Sequence, residues 1–201
     1  MAVLPIVRMG HPVLRQRAVE EARIPSEDLP TLVADMIETM AAEGGVGLAA
    51  PQIGLARRII VYRVPAARQA GEAAPDAGLQ TPRALINPVL EPMGEDVVAG
   101  WEGCLSMPGL RGLVPRWNSV RYSGVDVEGK PVEGIAGGFH ARVLQHEVDH
   151  LDGVLYIDRM EDFASLTYME EWHHHLPPVA VHPAQASAGP PEADTEADKG
   201  D

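Results

Sequence analysis

The stretch GFHARVLQHEVDHLD, from Gly138 to Asp152, decides how the rest of this chain is read. Its spacing predicts a helix starting at Gly137 or Gly138 and ending at Asp152, with Gly153 as the stop signal. Within it, His146-Glu147-Val148-Asp149-His150 is an H-E-x-x-H pattern. Positions four apart on a helix stand one turn above each other, so both imidazoles can reach one ion. Glu147 is rotated by about 100° from His146, close enough to contact a water on that ion without ligating it. Leu144, Val148 and Leu151 fall on a separate face and can bury the helix. The plainer alternative is a pair of half-exposed histidines on an amphipathic helix.

Around this helix the chain reads as one ordinary domain. Its 201 residues, 45 % apolar and 22 % charged, are those of a folded globular protein. The 16 Lys and Arg against 29 Asp and Glu give a formal charge of −13, which disfavours broad binding to nucleic acid or anionic lipid. A single cysteine excludes an intramolecular disulfide and with it the disulfide-stapled secreted class. No apolar run reaches the length of about 20 residues that spans a bilayer. The start at Met1 lacks signal-peptide character, so the expected location is the cytoplasm.

Upstream, Leu29, Leu32, Val33, Met36, Ile37 and Met40 predict a helix between Ser26 and Gly44. Ser26 is the expected N-cap, and Pro30 must lie in the first turn. Strands are predicted at Arg58–Val64, Ala84–Leu90, Val97–Trp101, Leu110–Pro115 and Ser119–Val127, with a turn at Glu128-Gly129-Lys130. Pro65–Pro82 reads as a mobile surface loop, long for a compact domain. Asp162–His175 predicts a weaker third helix. The catalytic domain is thus expected over residues 1–175. Residues 176–201 form a Pro/Ala-rich tail, with five acids from Glu192 to Asp201 against Lys199, and are expected to be disordered.

A catalytic divalent ion needs a third protein ligand and one open position. Downstream of the helix the candidates are Asp158, Glu161, Asp162 and His173 to His175. Upstream stands Cys104, in Glu102-Gly103-Cys104-Leu105-Ser106; a thiolate suits iron, zinc or cobalt. Taken alone, a lone cysteine is more often a buried structural residue. The run Gly45-Val46-Gly47-Leu48-Ala49-Ala50-Pro51-Gln52 lets backbone approach a ligand closely, and Gln52 could offer an amide N–H to an oxyanion. Taken alone, such a run is more often merely a turn.

In this order, the three segments resemble the peptide deformylases, a family marked by G-x-G-L-A-A-x-Q, E-G-C-L-S and Q-H-E-x-D-H-L. All three are unbroken here, at Gly45–Gln52, Glu102–Ser106 and Gln145–Leu151, and the similarity runs over about residues 3 to 165. The resemblance implies an α+β fold, with antiparallel β-sheets around the central helix. It implies a hydrolase that removes the formyl group from N-formyl-methionyl nascent chains and releases formate. Cys104, His146 and His150 would be the metal ligands, with Fe2+ the usual ion and Zn2+, Ni2+ or Co2+ able to replace it. Glu147 would be base and then acid, and Gln52 and the Leu105 backbone N–H would meet the oxyanion. Val46, Phe139 and Val143 would line the methionine pocket, Gly47 the cleft, and Arg111 would position the peptide. Glu102 reads as support for the site, and Gln145 and Asp149 as support for the helix. As a partner the ribosome enters only through transient contact, and the protein is expected to be a cytoplasmic monomer. Two rivals make different demands. A zinc endopeptidase needs a downstream third ligand, and a metal-binding or redox-sensing module has no use for Glu147.

Overall fold

The computed structural model describes residues 2–68 and 77–172. Helix α1 spans Leu29–Ala42 and helix α2 spans Gly138–Leu151. Eight strands follow the chain order: β1 Gly47–Ala49, β2 Ile59–Tyr62, β3 Arg83–Pro92, β4 Val97–Cys104, β5 Met107–Trp117, β6 Ser119–Val125, β7 Pro131–Gly137 and β8 Thr167–Tyr168. They form a five-stranded sheet in the order β1-β2-β3-β6-β7 and a three-stranded sheet in the order β4-β5-β8. Every pairing within the two sheets is antiparallel. The α+β architecture implied by the resemblance is the one observed.

The continuous apolar run of β2 has a direct cause: both faces of its sheet are covered. Successive side chains on a strand point to opposite faces. Ile60 and Tyr62 pack with Leu85, Val120, Ala141 and Leu144 on the α2 side. Ile59 and Val61 pack with Leu29, Val33, Met36 and Met40 of α1 on the other. A third cluster lies beneath the smaller sheet, where Val114 and Met107 meet Val13, Leu14, Leu155 and Tyr156. Helix α2 is therefore the central element, and His146, Glu147, Asp149 and His150 are buried along with its apolar residues.

Several sequence expectations need correction. Asp28, not Ser26, occupies the cap position of α1, and the Ser26 hydroxyl donates to the Asp28 carboxylate instead (2.7 Å). Pro30 does sit in the first turn. Helix α1 closes at Glu43, followed by Gly44 at φ +66°, a left-handed conformation suited to glycine. Three strands went unread, one of them β8, in the segment read as a third helix. β1 lies inside the glycine-rich run, and β7 carries Gly134 and Gly137, which blur its alternation.

The third helix expected at Asp162–His175 does not begin there. Asp162 caps a 3-10 turn at Phe163–Ser165, and Thr167 and Tyr168 pair with Arg111 and Leu110 on β5. A β-branched and an aromatic residue beside an open strand edge favour pairing over helix. His173 to His175 lie outside the described residues, as does the tail at 176–201. The Pro65–Pro82 loop contains 3-10 turns at Ala66–Arg68 and Ala77–Gln80, and residues 69–76 lie outside the description. Its far end is anchored rather than loose: Leu79 is buried, and its carbonyl accepts from Val64 N (2.7 Å).

Candidate active site

Three elements converge on one face of α2. His146 and His150 project from the helix as the four-residue spacing requires, their ring centroids 5.0 Å apart. Cys104 ends β4 at the tip of the β4–β5 hairpin. There the pairing slips from Gly103↔Arg111 to Cys104↔Met107, an irregularity that ends regular pairing and re-aims the thiol. The donor atoms of Cys104, His146 and His150 all lie within 4.8 Å of one another. Cys104 Sγ is 3.3 Å from His150 Nε2.

Gln52 reaches the cluster from the 3-10 turn at Ala50–Ile53 that follows β1. Its Oε1 accepts from Ala49 N (2.8 Å), which fixes the amide so that Nε2 faces Cys104 Sγ (3.4 Å) and Ser106 Oγ (3.3 Å). The N-terminal segment ties these loops together: Val7 N donates to Gln52 O (2.9 Å) and Met9 N to Ser106 O (2.8 Å). Leu105 lies in the turn between Cys104 and Ser106. Val46, Phe139 and Val143 belong to one apolar cluster, with Tyr62, Val64 and Leu79. Gly47 abuts Glu147 so closely that any side chain there would overlap the carboxylate.

Electrostatics make the cluster unusual. Glu147 is buried, and burial pushes its carboxyl up to about 7, against the pull of the two imidazoles. Its Oε2 has no hydrogen-bond partner among the described residues. Burial alone would raise the Cys104 thiol, yet His150 and His146 beside it hold the thiol well below its ordinary value. His146 moves the other way: burial opposes its charge, but Cys104 and Glu102 raise it well above the usual imidazole range.

Behind the cluster runs a buried ionic network that sequence reading largely missed. Glu102 Oε2 accepts from His146 Nδ1 (2.8 Å), which leaves Nε2 directed at the cluster. Glu102 also receives Arg116 Nε (2.9 Å) and Arg142 Nη1 (2.9 Å), and Arg116 reaches on to Asp149 (2.5 Å). Arg159 closes the chain on Asp149 (2.8 Å). Burial works against the Glu102 charge, but hydrogen bonds from His146 and Arg116 hold its carboxyl far below the usual range. Arg142 further donates to the carbonyls of Val98 (2.6 Å) and Val114 (2.7 Å), pinning α2 to the smaller sheet. The signal for it was present: Arg142, His146 and Asp149 recur at helical spacing on one face of α2. Gln145 bridges the helix to Trp117, donating to its carbonyl and accepting from its amide.

The downstream alternatives for a third ligand do not join the cluster. Asp158 pairs with Arg15 and accepts from Leu155 N, Asp162 caps its own turn, and Glu161 is exposed. A zinc-endopeptidase arrangement thus has no third ligand among the described residues.

The donor set fits a divalent transition metal: one cysteine sulfur and two imidazoles, one of them oriented by a carboxylate, with the Glu147 carboxyl close enough to feel the charge of all three. Fold and site together define a metal-dependent hydrolase built on an H-E-x-x-H helix. A family model described as polypeptide deformylase matches residues 3–165, and the chain belongs to that family, whose members remove the formyl group from nascent peptides. It is 45 % identical over 177 residues to peptide deformylase 2 of Pseudomonas syringae pv. tomato, covering 87 % of this chain and 97 % of the relative. It is 48 % identical over 171 residues to peptide deformylase 1 of Xanthomonas axonopodis pv. citri, covering 85 % and 98 %. The crystal structure of peptide deformylase from Thermotoga maritima superposes with a TM-score of 0.71 at 36 % identity, covering 81 % of this chain and all of that one. Among the described residues, no helix is long and apolar enough to cross a membrane.

Proposed function

We propose that Cys104, His146 and His150 hold the catalytic cation of this deformylase, and that Glu147 moves the proton of the reaction. The supporting observation is the convergence of three ligand atoms within 4.8 Å beside a buried carboxylate with a free oxygen. A divalent cation held there supplies Lewis acidity, which brings the pKa of a water toward neutrality and polarises the formyl oxygen.

The remaining work falls to the chain's own residues. Glu147 Oε2 accepts a proton from the attacking water as its oxygen bonds to the formyl carbon. As the C–N bond breaks, the same oxygen delivers that proton to the departing α-amine, and formate leaves with the second oxygen. A carboxyl poised near neutrality suits both transfers, because it gives up its proton about as readily as it takes one. Charge on the tetrahedral oxygen is met by the Gln52 amide, already fixed by its bond to Ala49, and by the Leu105 backbone N–H. Val46, Phe139 and Val143 receive the methionine side chain, and Gly47 leaves room for Glu147. Arg111, on the β5 edge of the cleft, positions the peptide that follows.

The resident ion is Fe2+ in this reading, which rests on the family, since thiolate and imidazole also suit Zn2+, Ni2+ and Co2+. The same reading has the protein acting as a cytoplasmic monomer on nascent chains, in transient contact with the ribosome. Protein purified without oxygen, loaded with Fe2+ or Ni2+, should release formate from formyl-Met-Ala. A folded, metal-loaded protein without turnover contradicts the assignment.

A further inference from the structure

Most arginines near the core meet a carboxylate: Arg57, Arg58, Arg116, Arg142 and Arg159 all do so. Arg68 and Arg111 meet none among the described residues. Arg68, in the 3-10 turn after β2, lays its guanidinium over the Phe139 ring, 5.2 Å from the centroid. Phe139 is one turn from Val143 on α2, so Arg68 caps the pocket proposed for methionine. Arg111 lies opposite Gly103, next to Cys104, with its guanidinium 5.3 Å from the centroid of Trp172. Its buried Nε has no hydrogen-bond partner among the described residues. Burial and the positive charge of Arg68 both lower the Arg111 pKa, so the two cations are near enough to repel. Among the described residues each is held by an aromatic face rather than an anion, which orients the charge without neutralising it.

We propose that Arg68 and Arg111 form a cationic clamp at the rim of the cleft that selects substrates carrying a carboxylate one to three residues beyond the formyl-methionine. This rests on the deformylase reading and adds a charge preference to it. A carboxylate between the two guanidiniums removes their mutual repulsion and gives Arg111 its missing acceptor. The chain as a whole, with a formal charge of −13, repels such a substrate, so the preference has to come from this local pair. The carboxylate can belong to an Asp or Glu side chain, or to the C-terminus of a short peptide.

The test compares formyl-Met-Ala-Glu-Ala-amide with its Gln and Lys counterparts, and formyl-Met-Ala with its amide, on the metal-loaded enzyme. The expected order in kcat/KM is Glu above Gln above Lys. Glu should exceed Lys by about tenfold, as two partly exposed ion pairs allow. The difference should reside in KM rather than kcat and should shrink in 0.5 M salt as screening shortens. A preference confined to the tetrapeptide series marks the side chain as the source, and one confined to formyl-Met-Ala marks the terminus. Arg68→Gln should bring the Glu-to-Lys ratio down to a few-fold or less, and Arg68→Lys should keep most of it. Each ratio is internal to one preparation, so it does not depend on how much of a variant folds. Turnover with equal KM for all charges overturns the clamp and leaves the deformylase reading intact. Absence of turnover on every substrate overturns the deformylase reading itself.

Discussion

Gly47 and Glu147 lie in such close contact that a methyl group on Gly47 would stand 2.6 Å from the Glu147 carboxyl carbon. The backbone of β1 is thus one wall of the socket that holds the Glu147 carboxylate. Gly47→Ala must push the carboxylate aside, and a displacement of about 1 Å in such a group costs about 10²-fold in rate. The expected outcome is a folded protein that still takes up its cation but turns over at least tenfold more slowly. Wild-type kcat in that variant would show that the contact is not restrictive.

Removing the carboxylate itself separates chemistry from binding. Glu147→Ala should keep the cation, since Glu147 is not a proposed ligand, and lose about 10²–10⁴-fold in kcat. Metal content by elemental analysis and formate release on the same sample give both readings. Full activity would remove Glu147 from the mechanism.

Glu102 is the hub of the buried network, holding Arg116, Arg142 and His146 together. Glu102→Gln leaves buried guanidinium charge uncompensated, which costs about 3–5 kcal/mol of folding stability. It also loosens the orientation of His146, so cation affinity should fall by about 10–100-fold. Because the folded-state carboxyl is held below its ordinary value, its stabilisation is fully present above the unfolded carboxyl pKa, about 4.3. It is lost as pH falls from there toward the folded value. Denaturant titrations should therefore show an acid-side decline in stability that the variant lacks. An unchanged acid limb would mean that the Glu102 network does not set it.

Tyr156 stacks on His146, with ring centroids 6.2 Å apart and planes at 21°, and its buried hydroxyl has no partner among the described residues. A buried unsatisfied hydroxyl costs about 1–3 kcal/mol. Tyr156→Phe keeps the ring and removes the hydroxyl, so thermal unfolding should occur at the same or a higher temperature. A loss of more than about 1 kcal/mol would mean the hydroxyl has a partner that matters.

What the sequence could reveal follows from the range of each signal. The two histidines and Glu147 were legible because helical spacing alone fixes which side chains share a face. Placing Cys104 needed the three motifs together, since nothing local tells which loop a hairpin tip will face. The Glu102–Arg116–Asp149 network was hardly legible: charged residues read as solvent-facing by default, and their burial follows from long-range pairing of β4 with β5. Strand β7 was obscured by its glycines. The segment after Asp162 read as helix because its polar residues suit one, whereas the open edge of β5 recruits Thr167 and Tyr168. Local propensity lost to a partner that the sequence does not announce.

Cobalt reports on whether one sulfur and two imidazoles share an ion. Protein reconstituted with Co2+ in the absence of oxygen should bind about one equivalent per chain, as expected of a single catalytic site. It should show a thiolate-to-cobalt charge-transfer band that Cys104→Ser abolishes. A bound cobalt whose spectrum is unchanged by Cys104→Ser, with Cys104 equally reactive toward thiol reagents with and without the ion, would mean that the sulfur does not hold the cation.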